Sequence, residues 1–215
     1  LSRKKILTSV SSAVVVAVLL VVWLVQHRSA PSDTPDAAPG ASPELLSQLT
    51  VTVPDTGAHY DRAQWGDWVG QGNSCDTRAI VLKQQDPGVQ AGTRCKINAG
   101  KWTSPYDGVV VTDAKNLDID HIVPVKEANI SGARNWTAEQ RSTFYNDPEN
   151  LVAVSFSSNR SKGDSDPAHW RPTRAYWCQY ATHYATVKVR YHLTVDQDER
   201  AALAQMLNTC PAPAA

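Results

Sequence analysis

The feature that most constrains this chain is an apolar run at residues 6–25, broken only by Thr8, Ser9, Ser11 and Ser12 and preceded by Arg3, Lys4 and Lys5. About twenty such residues suffice to cross a bilayer as a helix, and basic residues ahead of them keep the N-terminus cytoplasmic and send the rest of the chain across the membrane. A helix buried in a globular core would not be so uniformly apolar with so basic a flank. No small-x-small cleavage site stands close behind the run, since Arg28-Ser29-Ala30 sets a large cation three residues before the cut. Residues 1–26 are therefore expected to form a transmembrane signal anchor, with a cleaved signal peptide as the alternative. Residues 27–43 (HRSAPSDTPDAAPGASP) are rich in Pro, Ala, Ser and Asp, which stiffen a chain and bury little, so they read as a linker. Folding is left to residues 44–215, enough for one domain with a sizeable core outside the cytoplasm.

Charge narrows what that domain can bind. The chain has 21 Lys and Arg against 21 Asp and Glu; setting aside residues 1–41, with four cations and two acids, leaves 17 against 19. A diffuse positive field is missing, so any contact with nucleic acid must come from a few placed side chains and a cation.

Four cysteines, Cys75, Cys95, Cys178 and Cys210, form an even set without a close C-x-x-C pair. In an exported chain that pattern implies structural disulfides. Of the three pairings, Cys75–Cys95 and Cys178–Cys210 each close a loop within one segment. A zinc site built from the four is the alternative, but it lacks the short ligand spacing of such sites.

The periodicity describes an α+β domain. Glu44 to Leu49 could make a helical turn leading to Val51 and Val53, and Asp76 to Lys83 is helix-like. Lys101-Trp102-Thr103 and Val109-Val110-Val111 read as short strands, and residues 118–125 as a strand that turns sharply at its end. Thr137-Ala138-Glu139-Gln140 is a capping box opening a helix that runs to about Tyr145 and is stopped by Asp147-Pro148. Leu151 to Ser155 is the next strand, and Ser157 to Lys162 a short helix ended by Gly163. Trp177, Tyr180, Ala181, Tyr184, Val187, Lys188 and Tyr191 share one helical face that reads as core, and Asp196 caps a second helix through Leu207. A Cys178–Cys210 bridge would clamp these two helices antiparallel.

The candidate chemistry lies at Asp120-His121. A carboxylate and an imidazole side by side offer a metal ligand and a general base, although the dipeptide alone is common in proteins of every kind. Its setting adds weight. Asn150 opens a strand, where its amide can bond backbone or hold the imidazole, and Asn159 begins the next helix, where its amide oxygen can reach a cation. Local sequence equally allows Asn150 as a turn residue and Asn159 as a helix cap. His169, ten residues further on, reads as a surface residue more readily than as an extra ligand.

The stretch Asp118-Ile119-Asp120-His121-Ile122-Val123-Pro124-Val125, with Asn150-Leu151, Asn159-Arg160-Ser161-Lys162-Gly163-Asp164 and Trp170-Arg171-Pro172 after it, resembles the HNH endonuclease family proteins of actinobacteria. The likeness runs from about Asp61 to Cys210 and takes in Cys75-Asp76-Thr77-Arg78. It implies a ββα-metal core and a metal-dependent endonuclease acting on DNA, or RNA; with little base-reading apparatus visible in the sequence, cleavage is expected to be weakly specific and directed by backbone geometry. By the same resemblance His121 is the general base, Asn150 orients it, and Asp120 and Asn159 hold the divalent metal. Lys162 and Arg78 are secondary candidates for phosphate contact, their other reading being solvated or salt-bridged cations. The third family position is Asn159 where many members carry His, and an amide oxygen tilts the metal preference to Mg²⁺ or Mn²⁺, with Zn²⁺ behind.

Two rival functions are weighed against this. A non-catalytic cell-envelope binding protein on the same scaffold would lack the metal ligands, yet Asp120 and Asn159 are present. A zinc amidase or peptidase would want an H-E-x-x-H spacing, absent among His59, His121, His169, His183 and His192. The membrane is expected as a partner through the N-terminal run, and the sequence implies no protein partner.

Overall fold

The structure is a computed structural model and describes residues 43–211. The apolar run at 6–25 and all of the linker before Pro43 lie outside the described residues. Among the described residues no helix is long and apolar enough to cross a membrane.

Helix α1 (Pro43–Ser47) opens the described chain, and Val51 beyond it bridges to Val195 in parallel. Helix α2 (Thr77–Gln85) starts where the Asp76 carboxylate accepts the Ala79 amide, a side-chain cap that satisfies one of the free N–H groups at a helix start. Strands β1 (Ala99–Thr103) and β2 (Val110–Asp113) pair antiparallel. Strand β3 (Leu117–His121) gives way at once to helix α3 (Val125–Ile130), and helix α4 (Ala138–Tyr145) opens on the Thr137/Gln140 capping box. Strand β4 (Leu151–Ser155) then runs directly into helix α5 (Phe156–Lys162), where the Ser155 hydroxyl accepts the Ser158 amide. Helices α6 (Trp177–Arg190) and α7 (Gln197–Leu207) finish the domain, and Asp196 and Glu199 form a capping box at the start of α7.

One expected strand is shorter than its apolar pattern suggests. Extended structure ends at His121, and Val125 belongs to a helix. Pro124, with φ −58° and ψ 146°, stands at the junction as the α3 N-cap, where its missing N–H costs the helix nothing.

Strand β4 separates two cores. It pairs antiparallel with β3, with Asp120 opposite Val152 and His121 opposite Leu151. Because side chains alternate along a strand, Val152 and Val154 join the helical core around Phe144, Tyr180, Tyr184, Leu203 and Met206. Leu151 and Ala153 join the smaller core of Leu82, Trp102, Leu117 and Ile119. The strand is buried on both faces, so its register with β3 is strongly fixed. The aromatic stripe of α6 is core, with Tyr180 and Tyr184 wholly buried.

A charged triad also lies inside. The Lys188 ammonium on α6 sits 2.6 Å from Glu127 of α3 and 3.0 Å from Glu199 of α7, and is itself fully buried. Both disulfides form as the loop argument expects, Cys75–Cys95 beside α2 and Cys178–Cys210 across the ends of α6 and α7. No cysteine is left for zinc.

Candidate active site

The end of β3 and the second half of α5 meet at a cleft of about 410 Å³ lined by Asp120, His121 and Asn159 together with Tyr60, Arg62, Arg160 and Asp164. Asp120 and His121 are successive residues of β3, and both line this cleft. Gly163, at φ +55°, ends α5 in a backbone conformation open to glycine and borders the same space.

His121 is held tightly. Its Nε2 lies 2.8 Å from the main-chain oxygen of Tyr145, and a carbonyl can only accept, so Nε2 carries the proton and Nδ1 keeps its lone pair. The ring stacks within 17° of the Trp68 plane at 5.7 Å and within 5° of Phe144 at 6.4 Å. Burial among these rings disfavours the imidazolium and pulls the His121 pKa down to about 3, against a smaller upward pull from the Tyr145 carbonyl. At neutral pH the residue is a neutral base with one nitrogen committed and one available.

Asp120 is also buried, and two groups hold it. Lys162 Nζ lies 3.1 Å from Oδ1 and 2.9 Å from Oδ2, and the Tyr106 hydroxyl donates to Oδ2 at 2.5 Å. Burial pushes the Asp120 carboxyl up, and Lys162 and then Tyr106 pull it back. Lys162 is not a surface cation: only 1% exposed, it also donates to the His121 carbonyl at 2.8 Å. Its charge is spent on the site's own framework. Arg78 is likewise committed, donating to the carbonyls of Ala114 and Leu117 at 2.8 and 2.9 Å. Neither cation lines the cleft.

Asn159 donates from Nδ2 to Asp118 Oδ2 at 2.9 Å, which fixes its amide and leaves the amide oxygen as the uncommitted end. Among the described residues no three His, Cys, Asp or Glu side chains gather as a metal-ligand cluster. Asp120 and Asn159 offer oxygen donors, the type a hard divalent cation takes, and both Asp120 oxygens are already engaged by Lys162 and Tyr106.

Asn150 does not touch the imidazole. Wholly buried, it accepts the Val123 amide at 2.8 Å and donates to the Val123 carbonyl at 3.2 Å, while its own carbonyl accepts the Ile122 amide at 2.8 Å. It pins the turn just after His121, so any influence on the base passes through backbone. His169 stands apart with its side chain 70% exposed, paired to Asp166.

Several residues that build the site gave no sequence signal. Tyr106, Tyr145, Trp68 and Arg62 reach it from distant loops and helix ends. Asp118 was visible in the D-x-D-H stretch but carried no assigned role.

Comparison with known proteins places the chain. Residues 79–206 match the C-terminal domain of GmrSD restriction endonucleases. The chain belongs to that family. It is also 42% identical over 186 residues to a protein of Arthroderma benhamiae described as an uncharacterized secreted protein, covering 84% of this chain and 91% of that one. No solved structure matches it. The expected kinship with nucleases therefore holds at the level of the GmrSD C-terminal domain. The relative's secretion agrees with two disulfides, which persist in oxidising compartments.

Proposed function

We propose that this protein is a metal-dependent endonuclease that hydrolyses phosphodiester bonds of nucleic acid with low sequence specificity, outside the cytoplasm. The observation that carries the reading is His121: a neutral imidazole, its Nε2–H bound to the Tyr145 carbonyl, at a cleft shared with the oxygens of Asp120 and Asn159. The succession β3, β4, α5 that brings them together has the order of a ββα-metal core, which supports the HNH assignment.

In this reading His121 Nδ1 takes the proton of a water molecule as it attacks phosphorus, and the bond to the leaving oxygen breaks. Asp120 and Asn159 would hold Mg²⁺ or Mn²⁺, which supplies stabilisation of negative charge on the phosphate and the leaving oxygen. Tyr145 keeps the imidazole in the tautomer the step needs, and Asn150 fixes the backbone it hangs from. With charge balanced over the chain and phosphate contact left to a few placed side chains, recognition rests on the backbone, so DNA and RNA both qualify as substrates, DNA first.

The N-terminal residues 1–26 would tether or export the domain, residues 27–43 would space it from the membrane, and residues 44–215 would be the nuclease domain. One observation favours a second reading, a binding protein without turnover: Lys162 already neutralises both oxygens of Asp120. Incubating the protein with plasmid and with RNA in Mg²⁺, Mn²⁺, Zn²⁺ or chelator separates the two. Cleavage in Mg²⁺ or Mn²⁺ that chelator stops supports the nuclease, and intact substrate under every condition refutes it.

A further inference from the structure

We infer that Arg62 is the residue that grips the substrate's phosphate in this cleft, and that Tyr145 is the positioning residue fixing that grip relative to the base; the inference rests on the nuclease reading of the same site.

Tyr145 is bonded at both of its ends. Its main-chain oxygen accepts from His121 Nε2 at 2.8 Å, and its phenol oxygen accepts from an Arg62 guanidinium nitrogen at 2.9 Å. The Arg62 guanidinium carbon also lies 4.8 Å from the centre of the Tyr145 ring. Base and cation are thus tied to one residue, the last of α4, with a stiff phenyl between them. Catalysis by proximity is sensitive to displacements of about 1 Å, and a shared rigid anchor keeps such displacements small.

Arg62 is exposed, lines the cleft, and makes no ion pair among the described residues. Its guanidinium bonds the Tyr145 phenol and also leans on the Tyr60 phenol at the cleft wall, and the rest of its five N–H donors are left for an anion. A guanidinium presents paired donors in the spacing of two phosphate oxygens, which an ammonium cannot. Asp164, the acid on the cleft wall, lies 3.8 Å from Lys126, so its charge is partly met elsewhere. Arg160 lines the cleft too, with its guanidinium over Phe156, but no bond ties it to the base. In a domain without a positive field, one placed arginine beside the base supplies the contact that the buried Lys162 and the committed Arg78 do not.

The test uses the full, disulfide-bonded chain and compares Arg62→Ala, Arg62→Lys and Tyr145→Phe. Two quantities are read: kcat/KM on plasmid across a salt series, and binding of a short fluorescein-labelled DNA duplex in EDTA by anisotropy. Arg62→Ala should weaken duplex binding and lower kcat/KM by about tenfold or more, the value of one charge-assisted hydrogen bond, and flatten the log–log salt slope by about 1. Arg62→Lys should keep the wild-type salt slope and recover only part of the loss. Tyr145→Phe keeps the carbonyl that holds His121 but loses the phenol oxygen, so kcat/KM should fall several-fold with the salt slope unchanged. Thermal midpoints should stay at the wild-type value for the Arg62 variants. A wild-type protein that cuts while Arg62→Ala cuts, binds and responds to salt identically overturns this inference alone. If the wild type binds but never cuts, the nuclease reading fails and the anisotropy decides Arg62 by itself; if it neither binds nor cuts, both are overturned.

Discussion

His121 donates its Nε2 proton to the main-chain oxygen of Tyr145 across 2.8 Å, which settles the tautomer of a buried imidazole without any carboxylate partner. Because burial holds its pKa near 3, far below the ordinary 6.5, the ring stays deprotonated at Nδ1 throughout the neutral range. A depressed pKa means the base form is lost only when pH falls through the depressed value. The single-turnover cleavage rate should therefore show no inflection near pH 6.5; an inflection there, matched by an NMR titration of the His121 imidazole at the same pH, would contradict the geometry.

Asn150 is predicted to act through structure. Asn150→Ala strips a donor and an acceptor from the buried backbone of Val123 at once, and each unmet group costs about 1–3 kcal/mol. Urea unfolding should show a loss of about 2–4 kcal/mol, with cleavage falling in the fraction that remains folded. Unchanged stability with lost activity would instead argue for a direct catalytic contact.

Lys162→Met separates framework from substrate contact. Breaking a buried ion pair on one side typically costs about 3–5 kcal/mol, since Asp120 would be left buried without its cation. The variant should be markedly less stable, while the salt slope of duplex binding by its folded fraction stays at the wild-type value. A slope shallower by about 1 would return Lys162 to the role of phosphate contact.

The interior triad predicts an opposite kind of pH dependence. Burial pushes the Glu199 carboxyl up, and because Lys188 is shared with Glu127, one cation serves two acids. A raised folded pKa contributes stability that is complete below the ordinary value of 4.5 and is lost as pH rises through the raised one. Glu199→Gln keeps an oxygen for the Asp196 amide and removes the excess charge. Its thermal midpoint should exceed wild type at pH 8 by several degrees, at about 2–4 °C per kcal/mol, and show no gain at pH 4. Equal gains at both pH values would mean that the triad is not carrying an excess carboxylate.

Much of this fold is written locally, and the site only partly. The capping boxes at Thr137 and Asp196, the strand Leu151–Ser155 and the α6 stripe are local patterns, and they stand in the structure within a residue or so of their expected places. Asp120, His121 and Asn159 were visible as a set because two short strands and a helix present them, and they do share one cleft. The groups that hold them were hidden. Tyr106 is 14 residues from Asp120, Tyr145 is 24 from His121, and Arg62 is 83 from Tyr145. Such contacts depend on how loops pack, and no periodicity records them. Lys162 was misleading for a related reason: a cation on a seven-residue helix looks solvated until the buried carboxylate it neutralises is known. The 6–25 run lies outside the described residues, so its membrane role stays a proposal.

The central claim is that His121 activates water in a metal-dependent nuclease, and the most direct measurement is plasmid degradation by wild type and His121→Ala in Mg²⁺ or Mn²⁺, with circular dichroism confirming that both are folded. The account predicts cleavage by the wild type that chelator stops, and none by the variant. Full cleavage by a folded His121→Ala protein would contradict it.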